Sequence, residues 1–84
     1  MTYTVIILRS AQRQLARIDR QDQPRIISAI QALADDPRPP GCKKLTGRDA
    51  WRIRVCVYRV IYEIDDDRLR VLVVAIGHRG GVYR

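Results

Sequence analysis

The sequence predicts an α+β domain in which one strand is followed by two helices and then three strands, β-α-α-β-β-β. Three observations predict it. From Ala50 to Asp65, basic residues alternate with aliphatic ones and then give way to a second β-rich run, as in a hairpin. Between residues 10 and 36, apolar residues recur at helical spacing. Leu69 to Ile76 is apolar on both faces. Successive strands without a helix after each one exclude a doubly wound parallel sheet.

Thr2 to Leu8 reads as the first strand, with Tyr3, Val5 and Ile7 alternating with Thr4, Ile6 and Leu8. Ser10 is placed to cap a short helix from Ala11 to about Asp19, in which Ala11, Leu15 and Ile18 share a face. Asp22 is placed to cap a second helix. Pro24 is tolerated there because an amide in the first turn has no intrahelical partner. Ile26, Ile27, Ile30, Leu33 and Ala34 make a stripe suited to lying across a sheet. Pro37 disfavours helical geometry in the residue before it, so this helix ends near Asp35–Asp36.

Asp36-Pro37-Arg38-Pro39-Pro40-Gly41 is a stiff crossover. It delivers Lys43 and Lys44, read as loop residues, to Leu45 and the turn Thr46-Gly47-Arg48-Asp49. In the hairpin that follows, Arg52 and Arg54 share one face while Ile53, Val55 and Val57 share the other. Arg59 sits near the tight end of the hairpin, and Tyr58 and Tyr62 share the Val60 and Ile64 face, where they pack in the core. Arg52, Arg54 and Arg59 repel one another unless an anion relieves them. Asp65-Asp66-Asp67-Arg68 makes a solvated turn. Its consecutive carboxylates do not form a convergent metal site. Strict alternation puts Leu69, Val71, Val73 and Ala75 on one face of the last strand and Leu72, Val74 and Ile76 on the other. The helices cover one side of the sheet, and Ile61 belongs to a cleft floor on the other.

Eighty-four residues with 46% hydrophobic content make one domain, residues 1–84, and exclude a disordered chain. The net charge of +7 is unevenly placed: residues 38–62 carry seven Lys or Arg against one acid. Such a concentration favours nucleic acid or an acidic protein as partner. No apolar run approaches the ~20 residues of a membrane span, so no membrane role is expected. Cys42 and Cys56 have no metal-site spacing and read as free thiols of a cytoplasmic protein.

Arg52, Arg54 and Arg59 on the hairpin converge with His78, Arg79 and Tyr83 if the last strand lies beside it. Guanidinium forks match phosphate oxygens, and a phenol or imidazole can stack or move a proton. No basic helix is available to enter a DNA groove. The chemistry such a set supports without metal or cofactor is attack by a ribose 2′-hydroxyl on the adjacent phosphate. It requires a base, charge stabilisation at phosphorus and a proton for the leaving oxygen. Arginines serve the second need well and the first badly, since they stay protonated. An imidazole suits proton transfer near neutrality, which makes His78 a candidate. Tyr83 is a candidate to donate to the leaving group or to position the base. Lys43, Lys44 and Arg48 add phosphate attraction, and Trp51 can stack on RNA.

The series Asp36-Pro37-Arg38, Lys43-Lys44-Leu45, Trp51-Arg52-Ile53-Arg54, Tyr58-Arg59-Val60-Ile61-Tyr62-Glu63-Ile64 and Gly77-His78-Arg79 with Val82-Tyr83 closely resembles the RelE/ParE superfamily of toxin–antitoxin toxins, above all its RelE-type branch. That resemblance implies an antiparallel-dominated four-stranded sheet with two helices packed on one face. It also implies ribosome-dependent cleavage of mRNA in the A site, 16S rRNA contacts, and a cognate antitoxin that carries any DNA contact. It implies that Arg59 steadies the scissile phosphate, Arg79 stabilises developing charge or protonates the leaving oxygen, and Tyr83 orients the attacked nucleotide. Two departures stand out. Well-characterised members carry lysines at the positions of Arg52 and Arg54, one of them the proposed base, so the proton here passes to His78, to a guanidinium or by an indirect route. The hairpin turn, often Gly-Asp in relatives, is Cys56-Val57. A gyrase poison of the ParE kind, and a catalytically degenerate RNA- or ribosome-binding homologue, are the alternative expectations.

Overall fold

The computed structural model describes residues 2–78. Among them the order is β1 (Thr4–Ile7), α1 (Arg9–Ala16), α2 (Gln23–Ala32), β2 (Lys43–Lys44), β3 (Trp51–Val55), β4 (Tyr58–Asp65) and β5 (Arg70–His78). The strands form one sheet in the order β1-β5-β4-β3-β2. β1 runs parallel to β5, and every other neighbouring pair is antiparallel. Helices and strands share one core, so the helices cover one face of the sheet.

The expected four-stranded sheet is corrected to five strands. The additional strand is β2, a segment that alternation alone reads as loop. Leu45 N–H donates to the Ala50 carbonyl at 2.8 Å and closes the intervening turn. This brings Lys43 opposite Arg52 and Lys44 opposite Trp51. Two residues are too few for alternation to announce a strand, and only the pairing with β3 creates it.

A second correction concerns β5. Ile61 pairs with Ala75 but Tyr62 pairs with Val73, so Val74 is an extra residue on β5 and the ladder bulges there. The faces of β5 therefore exchange. Val71, Val73 and Ile76 all enter the core, 0 to 1% exposed, where strict alternation separates Ile76 from the other two.

The core combines Ala11, Ile18, Ile26, Ile30 and Leu33 from the helical half with Ile53, Val60, Tyr62, Val71, Val73 and Ile76 from the sheet. Tyr62 is fully buried, and its hydroxyl donates to the Pro37 carbonyl at 2.7 Å, tying the crossover to β4. Burial pushes that phenol's pKa well above the ordinary tyrosine value. The helix ends differ from expectation. α1 starts at Arg9 after Leu8, and Ser10 does not cap it; Ser10 Oγ instead donates to the Val74 carbonyl at 3.4 Å. Asp22 holds the N-cap position of α2 without a side-chain cap bond. α2 ends at Ala32, earlier than Pro37 alone requires, because the chain tightens: Leu33, Ala34 and Asp35 each donate three residues back.

Arg38 links the crossover to the β4–β5 turn and to the start of β3. Its guanidinium meets Asp66 with both terminal nitrogens, at 3.3 and 3.0 Å, and lies 5.2 Å from the Trp51 ring centroid. Tyr3 Oη donates to the same Asp66 at 2.6 Å. The hydrogen bonds from Arg38 and then Tyr3 hold the Asp66 carboxyl below its ordinary pKa, while the bond to Asp66 pushes the Tyr3 phenol up.

Candidate nucleic-acid interface

The face of the sheet turned away from the helices is organised in rows by the strand register. Trp51, Ile53 and Val55 of β3 pack toward the core, so Arg52 and Arg54 project from the opposite face. On β4, Tyr58, Val60, Tyr62 and Ile64 pack toward the core, which leaves Arg59, Ile61 and Glu63 on the arginine face. Directly opposite residues share a face. One row is therefore Arg54, Arg59 and Gly77, and the next is Lys43, Arg52, Ile61 and Ala75.

Two pairs of like charges consequently stand opposite each other, Arg54 with Arg59 and Lys43 with Arg52. Like charges in that relation destabilise a sheet. Arg52 is only 8% exposed, and Ile61 beside it is 1% exposed, as a cleft floor requires. Arg59 is half-buried, and its Nε is buried without a hydrogen-bond partner among the described residues. Gly77 opposite it carries no side chain, so its pairing partner on β5 leaves room beside the guanidinium. A phosphodiester supplies oxygens in the geometry a guanidinium fork prefers.

Beyond Arg52 the face changes character. Arg48, Asp49, Ala50, Glu63, Ile64, Asp65 and Leu72 line a cavity of 260 Å³. Its carboxylates are hydrogen-bond acceptors and repel phosphate, so the polyanion path is confined to the hairpin end of the face.

Several predicted site residues are brought together and others are not. Lys43, Arg52, Arg54 and Arg59 share the helix-free face, and Arg48 lies at the cavity. Lys44 pairs with Trp51 on the other face and approaches Asp49 at 3.7 Å. Trp51 packs on the core under Arg38 and is not displayed beside the arginines. His78 is also on the helix side: it pairs with Tyr58, and the two rings meet edge to face at 5.9 Å between centroids. The bulge at Val74 is the cause, since strict alternation along β5 puts His78 on the arginine face. Arg79 and Tyr83 lie outside the described residues. Sequence reasoning missed Gly77 as the neighbour of Arg59, and it missed Gln14, whose side chain reaches the bulge. A bulge leaves no periodic signal by which either is found.

The hairpin turn holds Cys56 at φ 56°, in the left-handed region, with the thiol exposed. The backbone shape natural to glycine is thus retained on a residue with a Cβ.

The family described as the ParE toxin of type II toxin–antitoxin systems, parDE, matches residues 5–83. The chain belongs to the RelE/ParE toxin superfamily, in its RelE-type branch. Toxin RelG of Mycobacterium tuberculosis is 32% identical over an alignment of 92 residues that covers 100% of this chain and 99% of that protein. The fold is similar to a chain of the RelE–RelB complex from the archaeon Pyrococcus horikoshii, with a TM-score of 0.85 and 26% identity over 98% of this toxin and 100% of that chain. The RelBE2 toxin–antitoxin complex of Mycobacterium tuberculosis contains a chain similar at a TM-score of 0.82 and 26% identity, covering 94% of this toxin and 100% of that chain.

Proposed function

We propose that this toxin is an endoribonuclease that cleaves messenger RNA in the ribosomal A site without a metal ion. The observation that supports the reading is the cation cluster on the helix-free face: Lys43 stands opposite the buried Arg52, and in the next row the half-buried Arg59 keeps an Nε without a hydrogen-bond partner among the described residues. A sheet tolerates that arrangement most readily where a polyanion offsets it. In the reaction the ribose 2′-oxygen bonds to phosphorus as the bond to the 5′-oxygen breaks. One proton leaves the 2′-hydroxyl and another reaches the 5′-oxygen, which yields a 2′,3′-cyclic phosphate and a 5′-hydroxyl. Arg59 holds the scissile phosphate, and Arg52 and Arg54 stabilise charge on the pentacoordinate phosphoryl group. Lys43 extends the phosphate track, while Arg48 stands at the acidic cavity beyond it. Arg79 and Tyr83 keep the roles the family resemblance assigns them. The edge-to-face contact of His78 with Tyr58, across the sheet from the arginines, argues against an imidazole base in this conformation.

The partner in this reading is a cognate antitoxin, as in the RelE–RelB and RelBE2 complexes of the similar toxins. Acidic character in such a partner complements the basic face, and any DNA contact belongs to it. Among the described residues no helix is long and apolar enough to cross a membrane. In this reading the toxin acts on ribosomes in the cytoplasm.

A second reading, a DNA gyrase poison, is favoured by the ParE description of the matching family. Cleavage mapping on ribosome-bound and free mRNA separates the two. Codon-phased cuts on the ribosome alone, reduced about 100-fold in Arg59→Ala, are expected. Intact message with double-strand breaks trapped on gyrase would select the second reading.

A further inference from the structure

β1 ends at Ile7, paired with Val73, but β5 continues to His78. Past Val73 no strand among the described residues pairs with the outer edge of β5, and side chains of helix α1 reach it there. Gln14 Oε1 accepts the Ile76 N–H at 2.7 Å in a part-buried position, and Ser10 Oγ donates to the Val74 carbonyl at 3.4 Å. Both contacts fall on the bulge or within two residues of it. A buried amide without an acceptor is costly, so the backbone shape that aims Ile76 N–H at α1 depends on the side chain that receives it.

That shape decides sidedness. With Val74 extruded, Ile76 enters the core, Gly77 lies opposite Arg59, and His78 meets Tyr58 edge to face. With an unbroken ladder each of these would change faces, and a side chain would stand beside the Arg59 guanidinium. We infer that Gln14 is a positioning residue: its side-chain carbonyl holds the β5 bulge and so fixes Gly77 beneath Arg59 and His78 on the helix side. The consequence for catalysis rests on the cleavage reading above; the consequence for structure does not.

The test compares Gln14→Met, which keeps the side-chain length and removes the acceptor, with Gln14→Glu, which restores an acceptor. Gln12→Met serves as the control, because Gln12 also reaches from α1 to a strand carbonyl, at Ile7 and 2.8 Å, but does not touch the bulge. Gln14→Met is expected to speed hydrogen exchange at the Ile76 amide and abolish the His78–Tyr58 nuclear Overhauser contact, with the Tyr62 and Val73 amides still protected. On programmed ribosomes it lowers kcat by about 10- to 100-fold at unchanged KM. Gln14→Glu recovers both readouts, and Gln12→Met changes neither. A Gln14→Met protein that keeps Ile76 protected and His78 on Tyr58 overturns the inference. So does a Gln12→Met protein with the same kcat loss, because the effect would then be general helix docking. If the wild-type toxin cuts no message, the cleavage reading falls, and the bulge lock is decided by the exchange and contact readouts alone.

Discussion

Arg59 and Cys56 show how single residues in this toxin depart from what local stability favours. Arg59 keeps a half-buried guanidinium whose Nε has no hydrogen-bond partner among the described residues. Cys56 adopts a left-handed φ of 56° at the head of the hairpin turn, where a Cβ costs about 1–2 kcal/mol. Replacing Cys56 with glycine removes that strain, and the greater freedom of glycine in the unfolded chain offsets part of the gain. Cys56→Gly is therefore expected to stabilise the toxin by about 1 kcal/mol in urea denaturation, whereas Cys56→Ala, which keeps a Cβ, is not. Equal gains in both variants would show that the thiol, with its 3.5 Å contact to Arg25 Nη1, is the cause and not the backbone. The position was readable in the sequence as a hairpin turn. Its left-handed backbone was not, since Cys and Val carry no turn preference.

At the scale of the element, the hairpin of β3 and β4 was the most legible part of the chain. Alternation of arginine with branched aliphatics is a direct consequence of the strand's period of two, and the register Arg54–Arg59 follows from the two-residue turn. β2 and the β5 bulge were illegible for opposite reasons. One is too short to show a period, and the other breaks the period that its neighbours obey. Under the cleavage reading, the hairpin also trades stability for activity. Arg59→Leu removes a buried nitrogen that has no hydrogen-bond partner among the described residues. It is expected to raise the stability of the free toxin by about 0.5–1 kcal/mol while removing message cleavage. A variant that is both less stable and inactive would mean that Arg59 supports the sheet, and the reading of this face as an anion site would lose its main support.

Over the whole molecule, Arg38, Asp66, Tyr3 and Trp51 join the crossover, the β4–β5 turn, the residue before β1 and the start of β3. The carboxyl of Asp66 is held below its ordinary pKa, so its contribution to stability is present above the usual carboxylate range and is lost as pH falls through the folded-state value. Tyr3 is raised, so its contribution persists through neutral and mildly alkaline pH and is lost only as pH rises through the elevated folded value. Thermal unfolding is expected to show a decline below about pH 4 that is shallower in Asp66→Asn. Identical acid limbs in the two proteins would assign the decline to other carboxylates.

Composition, charge distribution and alternation by themselves determined that this chain is an α+β domain with a basic hairpin on one face and a tyrosine-containing core on the other. Those properties follow from side-chain chemistry at fixed backbone periods, which is local information. Tertiary structure alone decided that Lys43 joins the sheet, that Trp51 lies under Arg38, and that His78 turns away from the arginines. Each depends on partners far apart in the chain: β2 on β3, Trp51 on the crossover, and the bulge on Gln14 of α1, 62 residues from the amide it receives. A period can be read along one strand, but which face it delivers is settled only when another element pairs with it.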